Sequence, residues 1–206
     1  MQYVSTPRLI LRNFLPSDAE ALFDYLADPR ANCFLDEKLN SLDEARADAE
    51  QRSKSNNHLA VCLKDTGRVI GDLFLYPEEK FMLEEAKGLS VQALEPVEAD
   101  TYSVGWNFNA QFEGKGYAYE SAAALFEYLF QQKNVRRIYA YVEDDNHRSQ
   151  ALCEKLGMRQ EGCFMEFVTF VNHDDGTPKY ENTYQYAILK KEWLKQRSLE
   201  QESEER

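Results

Sequence analysis

A glycine-containing turn, EGKGYA at residues 113–118, has the composition of an anion-binding site. It stands between an aromatic run at 102–108 and a helical run at 117–133. The first N–H groups of a helix have no partner within the helix, and glycines keep side chains away from them. Those N–H groups can therefore converge on a phosphate or a pyrophosphate. Because the same pattern also occurs in ordinary tight turns, the turn alone leaves both interpretations open.

Two nucleotide-binding fingerprints fit this turn poorly. A Rossmann turn would have a third glycine where Tyr119 stands, and a P-loop would have Ser or Thr at Gly116. An anionic ligand would need a locally positive pocket, because the net charge of the chain is -12. The basic residues of the central third that can supply one are Lys115, Arg136, Arg137, Arg148 and Lys155.

The composition predicts one domain of a soluble, cytoplasmic protein. With 206 residues, of which 43% are hydrophobic and 13% aromatic, the chain can bury a substantial core. No apolar run approaches the ~20 residues of a membrane span, and the N-terminus lacks a signal-peptide layout, so we expect no membrane partner. The net charge of -12 argues against direct binding of nucleic acid, which requires cations to neutralise phosphates.

The cysteines, Cys33, Cys62, Cys153 and Cys163, form neither a C-x-x-C pair nor a cluster with histidines. This spacing argues against a zinc site and favours reduced thiols. We therefore expect no metal.

Hydrophobic periodicity predicts the elements that position the turn. Their order, β-α-α-β-β-β-α-β-α-β-β, indicates an α/β domain with a mixed sheet and helices on its faces. Capping-box patterns that begin at Ser17 and Ser41 mark the first two helices, and Asp-Thr-Gly at 65–67 indicates a β-hairpin. The predicted strands are residues 8–12, 59–63, 69–76, 102–108, 138–143, 164–171 and 184–189, and the predicted helices are 17–26, 41–53, 117–133 and 146–156.

Two segments fall outside this pattern. Residues 77–100 form an acidic insert without clear periodicity, which we interpret as a flap or a disordered segment. Residues 195–206 are charged and almost free of apolar side chains, which is typical of a frayed helix or a disordered tail. We therefore expect a single domain over residues 1–194.

Several segments carry a family likeness through their order and joint spacing. They are TPRLILR at 6–12, GW at 105–106, EGKGYA at 113–118, NHRS and EKLGM within 146–158, and YAILKKEW at 186–193. Together they resemble the GNAT superfamily of acetyl-CoA-dependent N-acetyltransferases, and within it the RimJ/RimL branch of ribosomal-protein N-terminal acetyltransferases. The likeness covers most of the chain except the insert and the tail. It implies the GNAT fold, in which helices flank a central, mostly antiparallel sheet.

The resemblance also implies where acetyl-CoA binds. The ligand would lie in a cleft where strands 102–108 and 138–143 splay apart, and Asn146 would meet its pantetheine arm. Asn146 is also a plausible helix N-cap, and the two roles are compatible. The backbone that would bind the pantetheine belongs to Trp106, Asn107 and Phe108, and the turn that would bind the pyrophosphate comprises Gly114, Lys115, Gly116, Tyr117, Ala118 and Tyr119.

The chain departs from the family pattern at two positions beside this site. Glu113 stands where the family usually has Gln or Arg, and a carboxylate beside a polyanion is unfavourable unless it points to solvent. Cys153 stands where many members have a tyrosine that protonates the leaving thiolate. A cysteine can serve as an acid or simply pack on its helix.

The catalytic groups follow from the branch and from the chemistry of amide formation. The RimL-like scheme implies a serine that assists the thiolate and a glutamate on the following strand that deprotonates the amine. Ser149 matches the serine. Glu166 is the nearest acid on that strand, about two residues out of register. Glu143, two residues after Tyr141 on the same strand face, is a second candidate base. A base is needed because only a neutral amine can attack the thioester.

The sequence thus predicts an N-acetyltransferase that moves acetyl directly from acetyl-CoA to a primary amine, either a protein N-terminus or a small amine such as a polyamine. An acidic rim from residues 77–100 would favour a cationic acceptor. The alternative is a non-catalytic GNAT-like module that binds acyl-CoA or a protein. Monomer and homodimer both remain open.

Overall fold

The structure, a computed structural model, describes residues 4–78 and 99–204. Its strands are β1 (Val4–Ser5), β2 (Leu9–Asn13), β3 (His58–Leu63), β4 (Val69–Pro77), β5 (Thr101–Phe108), β6 (Arg137–Glu143), β7 (Arg159–Asn172) and β8 (Pro178–Leu189). They form an 8-stranded sheet in the order β1-β2-β3-β4-β5-β6-β8-β7. Within this part of the chain β5 and β6 are the single parallel pair, which confirms the predicted α/β class with a mostly antiparallel sheet.

Helices cover both faces of the sheet. They are α1 (Ala19–Leu26), α2 (Leu42–Ser53), α3 (Tyr117–Glu127), α4 (His147–Lys155) and α5 (Lys190–Glu204), and α3 continues as a π-helical turn over Tyr128–Gln132. Because side chains alternate along a strand, Leu59 and Val61 pack on the side of α3 and α4, whereas Ala60 and Cys62 pack with α1 and α2. We refer to these sides as the α3/α4 face and the α1/α2 face.

The apolar stripe predicted for the central helix is buried in the core. Ala122, Leu125, Phe126, Leu129 and Phe130 are each at most 1% exposed. Burial of the stripe holds α3 against the sheet, and thereby fixes the glycine turn that precedes it.

A cleft opens between the two parallel strands. β5 and β6 pair only from Thr101 to Ser103 of β5. Beyond that point β5 remains paired with β4 as far as Phe108, and β6 remains paired with β8 as far as Glu143. The facing edges of β5 and β6 therefore lack a strand partner in the described ranges, as the resemblance implied.

The differences from the predicted elements lie at the chain ends and in the last hairpin. β1 was not predicted, and β7 and β8 are longer than the predicted strands 164–171 and 184–189, because they pair with each other over most of their length. Of the two predicted states of the charged tail, the structure has the helix: α5 extends to Glu204. Trp193 anchors it by packing on Phe130, with ring centroids 5.4 Å apart.

One of the two predicted capping boxes is wrong. Ser17 lies in a 3-10 turn, Pro16–Asp18, whose Asp18 carboxylate accepts the N–H of Leu15 at 2.8 Å. Ser41 does cap α2, because its Oγ accepts the N–H of Glu44 at 3.2 Å.

Most of the acidic insert, residues 79–98, lies outside the described residues, so its interpretation as a flap or a disordered segment stays a prediction. Among the helices of the described ranges, none has the length and apolarity needed to cross a membrane.

Candidate active site

The glycine turn has the backbone of an anion cradle. Gly114 and Gly116 have φ angles of 73° and 79°, in the left-handed region that favours glycine. A Cβ at Gly114 would meet nothing within 4 Å, so conformation rather than crowding requires glycine there. From Gly114 to Tyr119, the backbone N–H groups have no acceptor among the described residues, whereas the N–H of Glu120 bonds to the carbonyl of Gly116 at 3.0 Å. The free N–H groups are those that a helix N-terminus offers to an anion.

Arg8, in the loop between β1 and β2, anchors this turn. Its Nε lies 2.6 Å from the Glu120 carboxylate, and its Nη1 donates to the carbonyl of Lys115 at 3.0 Å. Burial alone would raise the pKa of Glu120, but hydrogen bonds from Thr6 and Arg8 hold that pKa below its usual range. The Arg8 guanidinium also adds positive charge beside the free N–H groups.

Glu113 is neutralised by two arginines from distant parts of the chain. Its carboxylate lies 2.6 Å from Nη1 of Arg30, in the loop after α1, and 3.0 Å from Nε of Arg148, on α4. This explains how the chain accommodates an acid beside a site for a polyanion.

The turn opens into a cavity of about 660 Å³ between β5 and β6. Of the residues predicted to bind acetyl-CoA, all but Lys115 line it. The lining members are Trp106, Asn107, Phe108, Gly114, Gly116, Tyr117, Ala118, Tyr119 and Asn146. Lys115 instead directs its ammonium group over the ring of Phe112 at 5.2 Å. A long, narrow substrate with an anionic end fits a cavity that has free N–H groups at one end and an unpaired strand edge along its side.

Ser149 and Asn146 meet at the start of α4. The Asn146 side chain accepts the Ser149 N–H at 3.2 Å, so Asn146 is the N-cap as the sequence suggested. The indole Nε1 of Trp106 donates to Ser149 Oγ at 3.1 Å. Both residues line the cavity, which places a hydroxyl group across the cleft from the edge of β5.

Glu143, at the end of β6, also lines the cavity and is only 9% exposed. Burial raises the pKa of Glu143, and the negative charges of Glu181 and Asp145 raise it further. The Cys33 thiol is a hydrogen-bond partner of the Glu143 carboxylate, and burial raises the pKa of Cys33, so that it remains a proton donor. A buried carboxylate with a raised pKa has the properties of a general base.

The structure does not bring Glu166 to this site. Glu166 is exposed and outside the cavity lining, with a φ of 49° at an irregularity of β7, and its N–H donates to the Asn182 side chain at 2.9 Å. Glu166, which the sequence placed about two residues out of the expected register, thus does not reach the cavity in the structure. Of the two predicted bases, Glu143 lines the cavity and Glu166 does not.

Cys153 packs in the core rather than facing the cleft. It is 0% exposed, lies outside the cavity lining, and burial raises its pKa to about 12. This position favours packing over acid catalysis.

Sequence reasoning missed two buried polar residues of β8. Glu181 is 5% exposed and lines the cavity, and Thr183 is 2% exposed. Both lie just before the predicted strand 184–189, in a stretch without a predicted element. Alternation along the longer strand was the signal that could have revealed them.

Comparisons with known proteins agree with this geometry. A family model described as an acetyltransferase (GNAT) domain matches residues 8–159. The Bacillus subtilis (strain 168) protein named uncharacterized N-acetyltransferase YnaD is 30% identical over 192 residues, which cover 93% of this chain and 99% of that protein.

Solved structures share the fold over nearly the whole chain. An acetyltransferase of the GNAT family from Bacillus anthracis has a TM-score of 0.75 at 25% identity and covers 92% of this chain and 99% of its own. The ribosomal-protein-S5-alanine acetyltransferase from Vibrio fischeri has a TM-score of 0.65 at 16% identity, and the match covers 94% of this chain and 99% of that protein. At this identity the two proteins are similar in fold. Because the family model spans most of the chain and YnaD matches almost end to end, the protein belongs to the GNAT family and is an acetyltransferase.

Proposed function

We propose that this enzyme transfers acetyl directly from acetyl-CoA to a primary amine while both substrates are bound. The observation that carries the proposal is the path of the cleft, which contains free N–H groups at the glycine turn, an unpaired edge of β5, and a buried Glu143. Acetyl-CoA supplies a thioester whose carbonyl carbon a neutral amine can attack.

Three groups of residues would hold acetyl-CoA. The N–H groups from Gly114 to Tyr119 would bind the pyrophosphate, with Arg8 beside them. The free edge of β5 at Trp106 to Phe108 would pair with the pantetheine arm as an added strand does. Asn146 keeps its side-chain N–H₂ available for the same arm, because its Oδ1 is used by Ser149.

Glu143 is the proposed general base. It would take one proton from the acceptor ammonium, and the resulting neutral amine can then form the C–N bond. A backbone N–H of the β5 edge would stabilise the oxyanion that develops. As the C–S bond breaks, the nitrogen loses its second proton, which replaces the proton that Ser149 gives to the departing sulfur. The products are the amide, CoA as a free thiol and protonated Glu143.

Ser149 is the proposed proton donor to the sulfur. Its Oγ accepts a hydrogen bond from Trp106, so its own proton remains available for the leaving thiolate. Glu166 is not required in this scheme.

The identity of the acceptor is the most specific part of the proposal. We assign it to primary amines, whether a protein N-terminus or a small amine, and we place the enzyme in the RimJ/RimL-like branch. The support is the set of shared segments, together with the fold likeness to a protein named for an alanine of ribosomal protein S5.

The test combines calorimetry with turnover. Acetyl-CoA should bind saturably, and release of free CoA thiol should depend on an added primary amine in a panel of N-terminal peptides, polyamines and aralkylamines. Mass spectrometry should find an acetyl group on the amine. Binding without turnover on any amine would favour the non-catalytic alternative, and absence of binding at high micromolar acetyl-CoA would refute the donor assignment.

A further inference from the structure

Glu181 is a buried carboxylate with an unused oxygen that lines the cavity. Its Oε1 accepts a hydrogen bond from Asn32 at 2.7 Å, whereas its Oε2 is buried and has no partner in the described ranges. Glu181 is 5% exposed. A buried acceptor of this kind is costly unless a donor fills it.

Glu181 lies on the α1/α2 face of the sheet, because side chains alternate along β8 and Ile188 packs on the α3/α4 face. Two more polar side chains, Thr183 and Glu143, lie on the same face. Thr183 is two residues along β8, and its Oγ1 is also buried without a partner in the described part of the protein. Thr183 is directly opposite Glu143 in the pairing of β6 with β8, so the two Cβ atoms lie about 5 Å apart. Glu143, Glu181 and Thr183 thus form one acceptor-rich group, here called the acid group.

No lysine, arginine or histidine of the described ranges forms an ion pair with Glu143 or Glu181. The cationic residues that line the same cavity are engaged elsewhere: Arg30 and Arg148 pair with Glu113, and the Lys155 ammonium lies 4.6 Å from the ring centre of Tyr119. Within the described residues the acid group therefore lacks the positive partner that buried carboxylates require. A primary ammonium, with its positive charge and N–H donors, matches it.

An aromatic surface continues from the acid group along the same face. Tyr141 is two residues before Glu143 on β6, and Phe164 lies opposite Thr183 on β7. The ring of Phe167 is 5.1 Å from that of Phe164 and 6.1 Å from that of Tyr141. These rings, here called the aromatic shelf, are between 39% and 55% exposed.

We infer that the acid group and the aromatic shelf form the acceptor site, and that it selects a primary amine attached to an apolar, preferably aromatic, body. Glu181 Oε2 and Thr183 Oγ1 accept hydrogen bonds from the ammonium, Glu143 removes its proton, and the shelf packs against the apolar body. The inference rests on the proposed function and adds the class of acceptor to it.

The first test uses Glu181→Gln, which keeps an oxygen for Asn32 but removes the charge. With phenethylamine as acceptor, KM should rise about tenfold or more, because the ammonium loses its ionic partner, while KM for acetyl-CoA stays within about twofold. Thr183→Val should raise the same KM by a smaller factor. The control is Glu20→Gln, an exposed acid of α1, which should change neither constant.

The second test separates the shelf from the acid group. Phenethylamine should be acetylated with a higher kcat/KM than butylamine, which lacks the ring, and Phe167→Ala should remove roughly a threefold advantage. Tyr180→Ala is the matched control. Tyr180 is as exposed as Phe167, at 55%, but as the neighbour of Glu181 on β8 it lies on the opposite face of the sheet from the shelf.

The outcomes distinguish this inference from the proposed function. If amines are acetylated but Glu181→Gln leaves their KM unchanged, the acceptor site is misassigned while the enzyme assignment stands. If spermidine or butylamine is preferred over phenethylamine, the role of the shelf is refuted. If no amine is acetylated, the proposed function itself fails.

Discussion

The indole Nε1 of Trp106 donates a hydrogen bond to Ser149 Oγ at 3.1 Å, which joins β5 to α4 across the cleft. Because the Oγ accepts from Trp106, its proton is free to move to a leaving thiolate. Ser149→Ala should therefore lower kcat by roughly tenfold to a hundredfold with little change in KM for acetyl-CoA. Stopped-flow release of thiol measures the chemical step. A loss of acetyl-CoA affinity at unchanged kcat would instead assign Ser149 to binding.

Glu143 should give the reaction its acidic pH limit. Its carboxylate must be deprotonated to accept a proton, and burial raises its pKa. The kcat/KM of the wild type should thus fall as the pH decreases through that raised pKa, and Glu143→Gln should lower activity by about a hundredfold or more and remove this limb of the profile. If the variant retains the same limb, another group is the base.

The same residue should cost stability at neutral pH. A carboxyl group whose pKa is higher in the folded than in the unfolded state favours folding at low pH, and this contribution is lost as the pH rises through the folded pKa. Glu143→Gln should therefore melt at a higher temperature than the wild type near pH 8, and the difference should shrink near pH 4. Calorimetry at both pH values measures it, and an equal shift at both would point to packing rather than charge.

The elements around the donor site were predictable because their signals are local. The helical stripe from Ala122 to Phe130 is buried as its spacing indicated, and the turn at Gly114 and Gly116 has the left-handed backbone that its glycines suggested. Helix periodicity and glycine conformation depend on neighbouring residues in the sequence.

The acceptor side was not predictable because its contacts join distant segments. Glu181 is held by Asn32, which is 149 positions away, and Glu113 by Arg30, which is 83 positions away. Both contacts depend on the position of Arg30 and Asn32, which line the cavity and whose place beside it no local pattern encodes. Glu166 lies outside the cavity lining, where the pairing of β7 with β8 shifts register between Phe164 and Val168, and such a shift has no local signal in the sequence.

Gly116 should be required for its backbone conformation. An alanine at a φ of 79° costs about 1–2 kcal/mol, and the turn would relax away from the arrangement that gathers the N–H groups. Gly116→Ala should weaken acetyl-CoA binding in calorimetry by about fivefold to tenfold. Gly162→Ala is the control, because a Cβ there meets nothing within 4 Å and the position is outside the left-handed region. Unchanged binding in Gly116→Ala would contradict the pyrophosphate assignment.

Asp72 organises a buried ionic network on the α1/α2 face. It is 2% exposed, accepts from the Tyr25 hydroxyl at 2.9 Å, and pairs with Arg52 at 3.2 Å. Asp72→Ala should destabilise the fold by about 1–3 kcal/mol, because it leaves the buried Tyr25 hydroxyl and one N–H of Arg52 without an acceptor, while Arg52 keeps its ion pairs with Glu37 and Asp48. Asp43→Ala, which removes an exposed ion pair with Arg46, should change stability by less than about 1 kcal/mol. Urea unfolding compares them, and equal effects would show that the network contributes little.

Glu113 should weaken donor binding by competing for positive charge. Its carboxylate occupies Arg30 and Arg148, both of which line the cavity beside the glycine turn. Glu113→Gln would free the two guanidinium groups for the phosphates, so acetyl-CoA should bind a few-fold more tightly and with a steeper dependence on salt. Glu127→Gln is the matched control, because Glu127 is 45% exposed, compared with 44% for Glu113, and it pairs with Arg197 on α5. Weaker binding in Glu113→Gln alone would mean that the carboxylate is needed to hold the two arginines in place, and would refute the competition.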